Sequence, residues 1–127
     1  MNILRTALFT LLLNLPVLAQ PTPTASNATV VTADATASVY LTVNNPTMYD
    51  IYVVSATSDV AGKVEIYTGD KAVNDLTVSS YGSVELKAGG SFLRLSELKR
   101  GLKAGESVKV TMMTDGGISI LAVATVK

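Results

Sequence analysis

The residue types that carry most enzyme and metal chemistry are scarce in this chain. Its 127 residues include no histidine and no cysteine, the commonest general base and the strongest soft-metal ligand. The ten acidic residues are scattered singly, and no Gly-x-Ser-x-Gly elbow, phosphate-binding loop or dinucleotide fingerprint occurs. We therefore expect a protein that is not an enzyme.

Methionine thioethers are the soft donors that remain. Met48, Met112 and Met113 follow the N-terminal region. Neighbouring residues of a strand point to opposite faces, so Met112 and Met113 are not expected to share a metal, and one of them should lie in the core. Met48 falls in a turn-rich stretch, where its side chain can be exposed. Whether any of the three binds a metal stays open from the sequence.

A Gly-Gly pair lies in the middle of residues 86–95, with residues typical of strands on both sides. Gly89 and Gly90 permit a sharp turn, because glycine adopts positive φ at little steric cost. After them, Phe92 and Arg94 alternate with two leucines. Residues two apart in a strand share a face, so the leucines should face a core while Phe92 and Arg94 project together from the other side.

Short alternating segments separated by turn residues fill the chain from residue 29 onward. Strands and turns recur at intervals of about 8–12 residues, which predicts an all-β fold, an antiparallel β-sandwich of seven or eight strands. The clearest hairpin is expected over 108–126, turning at Asp115-Gly116. Residues 96–106 have helical composition, but two glycines limit that helix to about one turn.

The N-terminus reads as a cleaved secretory signal over residues 1–19. Arg5 precedes an apolar run that Asn14 and Pro16 interrupt, and Val17 and Ala19 fit the small residues of a signal-peptidase site. The run is shorter than a bilayer span, and no cysteine is available for a lipid anchor. A periplasmic or secreted protein that is not membrane-bound after cleavage is expected.

Two further segments are expected after the signal. Residues 20–36 comprise a linker rich in Pro, Thr and Ala and a first short strand, and residues 37–127 form the β-sandwich domain. Without Arg5 the chain has nine basic and ten acidic residues, a net charge of −1 (9 − 10). Because there is no basic excess to neutralise phosphates, nucleic acid is not an expected partner. The basic residues 99, 100 and 103 should form a solvated turn balanced by Glu97 and Glu106.

From Val39 to the C-terminus the chain resembles the periplasmic copper chaperones called PCuAC. The resemblance rests on pieces that recur in order and cover most of that region: Val39–Asn45, Asp50 with the strand after it, Val64-Glu65-Ile66, Val84–Lys87, the Gly-Gly turn, Leu95/Leu98/Lys99 and Lys103–Glu106. It implies a cupredoxin-like β-sandwich and copper as the bound metal.

The same resemblance places other residues at the family's copper ligands. Tyr67 stands where the family has a His after the Val-Glu-Ile strand, and Phe92 and Arg94 stand in its His-x-Met pair. The family's middle Met has no counterpart. Phe has no donor atom, Arg is permanently cationic and a tyrosine hydroxyl normally keeps its proton near neutral pH. No cofactor is therefore expected at these positions, where Tyr67 and Phe92 can stack and Arg94 can lie against either ring. From the sequence, this cluster is either a cap on one end of the sandwich or a small recognition patch.

Two functions remain open from the sequence. One is copper binding and trafficking outside the cytoplasm, which the resemblance alone implies. The other is a metal-free binding or assembly module on the same scaffold, with an unknown protein partner. The three substituted positions support the second function, and the order of the family's motifs supports the first.

Overall fold

A computed structural model describes residues 21–127, which form ten β-strands and no helix. In chain order the strands are β1 (Thr24–Ala33), β2 (Thr36–Asn44), β3 (Ile51–Ser58), β4 (Ala61–Thr68), β5 (Lys71–Val73), β6 (Leu76–Val78), β7 (Ser83–Glu85), β8 (Ser91–Leu98), β9 (Ser107–Thr114) and β10 (Ser119–Val126). The all-β prediction is confirmed, with ten strands in place of seven or eight. β5, β6 and β7 have three residues each, and β5 is too short and too exposed to show an alternation in the sequence.

The strands hydrogen-bond in the order β5-β4-β8-β2-β1-β10-β9-β3-β6, and β7 also pairs with β2. The predicted antiparallel arrangement is corrected at one pair, because β1 and β10 run parallel with Val30 beside Val126. β1 pairs with β2 along its other edge. The first strand therefore joins the two halves of a mixed sheet that surrounds one core.

The core is aliphatic, and the predicted alternation fills it. Leu93 and Leu95 of β8 are fully buried, as are Val39 and Val43 of β2. In the hairpin of β9 and β10, Met112 lies opposite Ile120, and both side chains are buried. The predicted hairpin over 108–126 is confirmed.

Ordered structure begins earlier than the sequence suggests. β1 starts at Thr24, inside the stretch expected to be a linker, and Thr24 pairs with Asn44. The start of this strand shows no alternating pattern in the sequence, because β1 is bulged between Ser26 and Thr29, where Asn27 has φ of 54°. The expected signal segment, residues 1–19, lies outside the described residues.

The predicted turn of helix over 96–106 is wrong. Ser96 and Leu98 continue β8 and pair with β4, so sheet pairing prevails over local helical composition. The loop that follows is the polar turn that the sequence predicted, with basic and acidic residues paired. Arg100 contacts the carboxylate of Glu106, and the backbone N–H of Lys103 donates a hydrogen bond of 2.7 Å to the same carboxylate. These hydrogen bonds hold the pKa of Glu106 below its usual value, and the one from Arg100 has the larger effect. Over residues 21–127 no helix is long and apolar enough to cross a membrane.

Candidate functional site

The candidate site is on the outer face of β4 and β8. Tyr67 of β4 lies directly opposite Phe92 of β8, and Glu65 lies opposite Arg94. Because Leu93 and Leu95 point into the core, the residues that alternate with them point outward. Strand pairing therefore places the three residues singled out in the sequence on neighbouring positions of one surface.

The three side chains are in contact, as predicted. The rings of Tyr67 and Phe92 stack with centroids 5.5 Å apart and planes 22° apart. The guanidinium carbon of Arg94 lies 5.1 Å from the centre of the Tyr67 ring, within the range of a cation–π interaction. All three side chains are half-buried, so the arrangement is packed yet open to solvent.

A fourth residue, Tyr40, belongs to the same cluster and was missed from the sequence. Its ring meets the edge of Phe92, with centroids 6.2 Å apart and an interplanar angle of 63°. β2 pairs with β8 through Val39 and Leu93, which brings the next outward residues of both strands together. That register follows from the sheet order, which local sequence does not specify. We call Tyr40, Tyr67, Phe92 and Arg94 the aromatic–arginine patch.

Two turns hold the patch at this end of β4 and β8. Lys87–Gly90 form a turn closed by the N–H of Gly90 donating to the carbonyl of Lys87 at 3.0 Å, with Gly89 at φ of 82°. The N–H of Gly69, in the turn after β4, donates to the carbonyl of Gly90 at 3.0 Å. The hydroxyls of Thr68 and Ser91 add a side-chain hydrogen bond of 3.0 Å. The backbone around Tyr67 and Phe92 is therefore fixed from both sides.

The charges around the patch leave Arg94 available. The ammonium of Lys63 lies 3.7 Å from the carboxylate of Glu65, on the same face. Among the described residues Arg94 makes no ion pair within 4.0 Å, although Glu65 is its cross-strand neighbour. Its guanidinium combines a cation with five N–H donors, a group suited to carboxylates and phosphates.

An open groove of about 400 Å³ adjoins the patch at Tyr40. Asn27 and Thr29 of β1 form one side of it, and Glu85 and Lys87 form another. Tyr40 therefore lines both the patch and this groove.

The patch does not fit a Cu(I) site. Phe92 has no donor atom, and the guanidinium of Arg94 would repel a metal cation placed between the rings. The methionines lie on other strands and loops: Met112 is fully buried, Met113 is 37% exposed and Met48 is 61% exposed. Met112 and Met113 therefore point to opposite faces of β9, as predicted, and cannot jointly hold an ion.

Acidic side chains form no metal-binding cluster in the described part of the chain either. Within residues 21–127, no group of three or more His, Cys, Asp or Glu side chains is arranged to hold a metal ion. Ser96-Glu97-Leu98-Lys99 has the Ser-x-x-Lys spacing of some acyl-transfer enzymes, but Ser96 is in β8 and Lys99 follows it in a bend. The side chain of Lys99 is exposed in this bend, so the spacing alone does not place its ammonium beside the Ser96 hydroxyl.

Comparison with known families gives a match over nearly the whole chain. The family model described as "Putative lipoprotein LpqE-like" matches residues 17–126. No curated protein matches the sequence.

Solved structures of PCuAC domains share the fold. The chain is similar to the "Copper-bound PCuAC domain from PmoF2", with a TM-score of 0.76, 14% identity and coverage of 87% of this chain and 96% of that one. It is also similar to the "Apo PCuAC domain from PmoF1", with a TM-score of 0.75, 17% identity and coverage of 87% and 97%. The solution structure of CuI-DR1885 from Deinococcus radiodurans gives a TM-score of 0.70 at 28% identity, covering 89% of this chain and 83% of that one. The fold expected from the resemblance to copper chaperones is confirmed.

Proposed function

Because this chain belongs to the LpqE-like family and has the fold of PCuAC domains, we propose that it is an exported binding protein on a copper-chaperone scaffold. In this proposal the aromatic–arginine patch binds its ligand by stacking and charge, without coordinating copper. The protein is not an enzyme, and its ligand is a group on a partner molecule outside the cytoplasm.

The observation that carries the proposal is the position of Arg94. Its guanidinium lies 5.1 Å above the ring of Tyr67, and that ring stacks on Phe92. A guanidinium held against a ring is partly ordered before a ligand arrives, which reduces the side-chain entropy lost on binding. Its free edge suits a carboxylate, with the aromatic rings beside it as an apolar surface.

A synthetic acidic peptide rich in Asp and Glu is a direct probe of this patch. We expect it to shift the NMR signals of Tyr67, Phe92 and Arg94, and Arg94→Gln to abolish those shifts. Lys63→Gln is the matched control, because Lys63 is a cation on the same face of β4 that already pairs with Glu65 at 3.7 Å. An equal loss of binding in both variants would mean that general surface charge, not Arg94, attracts the peptide.

Copper trafficking is the second candidate, and the comparisons favour it specifically. Two of the similar structures are named as copper-bound or CuI forms, one of them 28% identical to this chain. Any copper would have to use donors away from the patch, with Met48 and Met113 the exposed thioethers. Metal analysis of protein purified from copper-supplemented cells separates the candidates: stoichiometric copper supports trafficking, and a metal-free protein that still binds the acidic peptide supports the first proposal.

Export is part of both candidates. The apolar run before Val17 and Ala19 and the lipoprotein name of the family model support it. We expect the intact mass of the exported protein to correspond to residues 20–127. Recovery of an exported form that retains residues 1–19 would contradict cleavage at Ala19.

A further inference from the structure

A second surface carries large side chains that contribute little to the core. Met48 is 61% exposed, Tyr49 is 70% exposed and Tyr81 is 71% exposed. They lie in the loops that follow β2 and β6. Together with neighbouring residues they line an open groove of about 460 Å³, which we call the tyrosine groove: Pro21, Pro46, Thr47, Met48, Tyr49 and Tyr81.

Buried hydrogen bonds make the tyrosine groove rigid. Asn45 is fully buried, and its amide nitrogen donates to the carbonyls of Tyr49 at 2.7 Å and Val78 at 3.1 Å. Its amide oxygen accepts from the hydroxyl of Thr47 at 2.6 Å, and the N–H of Tyr81 donates to the carbonyl of Thr47 at 3.0 Å. One buried amide thus ties the two loops together, and the exposed rings stand on a fixed base.

The backbone of Tyr81 has a conformation that is unfavourable for a residue with a large side chain. It has φ of 56° in a turn closed by the N–H of Gly82 donating to the carbonyl of Ser79 at 2.9 Å. Glycine or asparagine is favoured at such a position, since other residues meet steric strain there. The large ring that occupies it is 71% exposed, so packing into the core does not account for it. A role in recognition does.

The lining selects the kind of occupant. None of the six residues carries a charge near neutral pH. The hydroxyl of Thr47 is already used, donating to Asn45 and accepting the N–H of Tyr49 at 3.3 Å. Among the side chains of the lining, only the two tyrosine hydroxyls remain as hydrogen-bonding groups for a ligand. An uncharged, largely apolar occupant fits this surface.

Proline fits it best, and the chain provides its own example. Pro21 lines the groove and begins the alternating run Pro21-Thr22-Pro23-Thr24. Grooves lined by aromatic rings bind extended proline-rich segments, because the flat pyrrolidine packs on the ring and the segment loses little entropy on binding. We propose that the tyrosine groove binds an extended, uncharged, proline-containing segment of a partner polypeptide. This inference does not depend on the aromatic–arginine patch, which lies on other strands.

NMR titration with a synthetic peptide of alternating Pro and Thr tests the proposal. The peptide is expected to shift the signals of Met48, Tyr49 and Tyr81, whereas a peptide of alternating Ala and Thr is not. Tyr49→Ala and Tyr81→Asn should each weaken binding by about tenfold, as loss of an aromatic anchor does at an interface. Asn tolerates positive φ, so Tyr81→Asn removes the ring without straining the turn.

Two further variants keep the outcome clear. Tyr52→Ala removes a tyrosine that is 37% exposed and outside the groove, and it should leave peptide binding unchanged. Tyr49→Phe keeps the ring and should retain binding. The proposal is overturned if the proline peptide causes no shifts, if the alanine peptide binds equally, or if phosphatidylcholine vesicles or an oligosaccharide occupy the tyrosines in its place.

Discussion

Phe92 is the residue that turns separate aromatic side chains into one patch. Its ring stacks on Tyr67 from β4 and meets Tyr40 from β2, so it links three adjacent strands on their outer face. Arg94 completes the patch two residues further along the same strand. The contact of Tyr67, Phe92 and Arg94 could be predicted, because the resemblance aligned all three with ligands of a single ion. Tyr40 could not, since its proximity depends on which strands neighbour β8.

Replacing Phe92 with Ala should lower the free energy of unfolding by about 2 kcal/mol. The change removes two aromatic pairs, each worth about 1 kcal/mol, and part of the apolar surface buried between strands. Tyr49→Ala is the control, because its 70% exposed ring should change stability by no more than about 0.5 kcal/mol. Urea denaturation measures both. Equal small losses would mean that the Phe92 ring contacts contribute little to stability.

Strand pairing sets the position of the patch, and two hydrogen-bonded turns hold the strand ends that carry Tyr67 and Phe92. The Gly-Gly turn before β8 was predicted from sequence, and only Gly89 of the pair has positive φ. The hydrogen bond between Gly69 and Gly90 could not be predicted, because it joins turns from different hairpins. The bulged start of β1 and the three-residue β5 escaped prediction because neither shows a regular period of two.

Gly89→Ala tests the predicted turn. With φ of 82° at this position, an alanine should cost about 1 kcal/mol of stability, since its Cβ disfavours the left-handed region. No atom lies within 4 Å of the added Cβ, so the loss would come from backbone strain. Gly90→Ala, whose added Cβ would lie 3.4 Å from the flexible Lys87 side chain, should cost less than about 0.5 kcal/mol. The reverse order in urea denaturation would contradict this account of the turn.

Asn45 holds together the two loops that form the tyrosine groove. Among residues 21–127 every buried side-chain nitrogen and oxygen has a hydrogen-bond partner, and Asn45 contributes five such contacts. Asn45→Ala leaves buried carbonyls unpaired and should lower the free energy of unfolding by about 3 kcal/mol. The adjacent Asn44 is exposed, and Asn44→Ala should change it by about 0.5 kcal/mol or less. Similar losses in thermal or urea unfolding would show that the buried amide does not hold the loops.

At the scale of the molecule, the fold class could be predicted from the sequence, but the order of the strands in the sheet could not. Alternation in β2, β8, β9 and β10 indicated an all-β fold, and the order of motifs indicated the copper-chaperone scaffold. The parallel pair of β1 and β10 was not predictable, because it joins the first and last described strands, which are far apart in the sequence. The scaffold is shared with copper-bound PCuAC domains, whereas we propose that the aromatic–arginine patch binds an anionic group.

Competition against a chromogenic Cu(I) chelator tests the central claim that the aromatic–arginine patch is not a copper site. We predict that the protein removes no more Cu(I) from the chelator than a single exposed methionine thioether would. Tyr67→Ala and Arg94→Ala should leave this weak binding unchanged. Loss of tight, stoichiometric binding in either variant would contradict the claim directly. Tight binding that disappears in Met48→Ala or Met113→Ala would place copper at a methionine site and restore copper trafficking as the function.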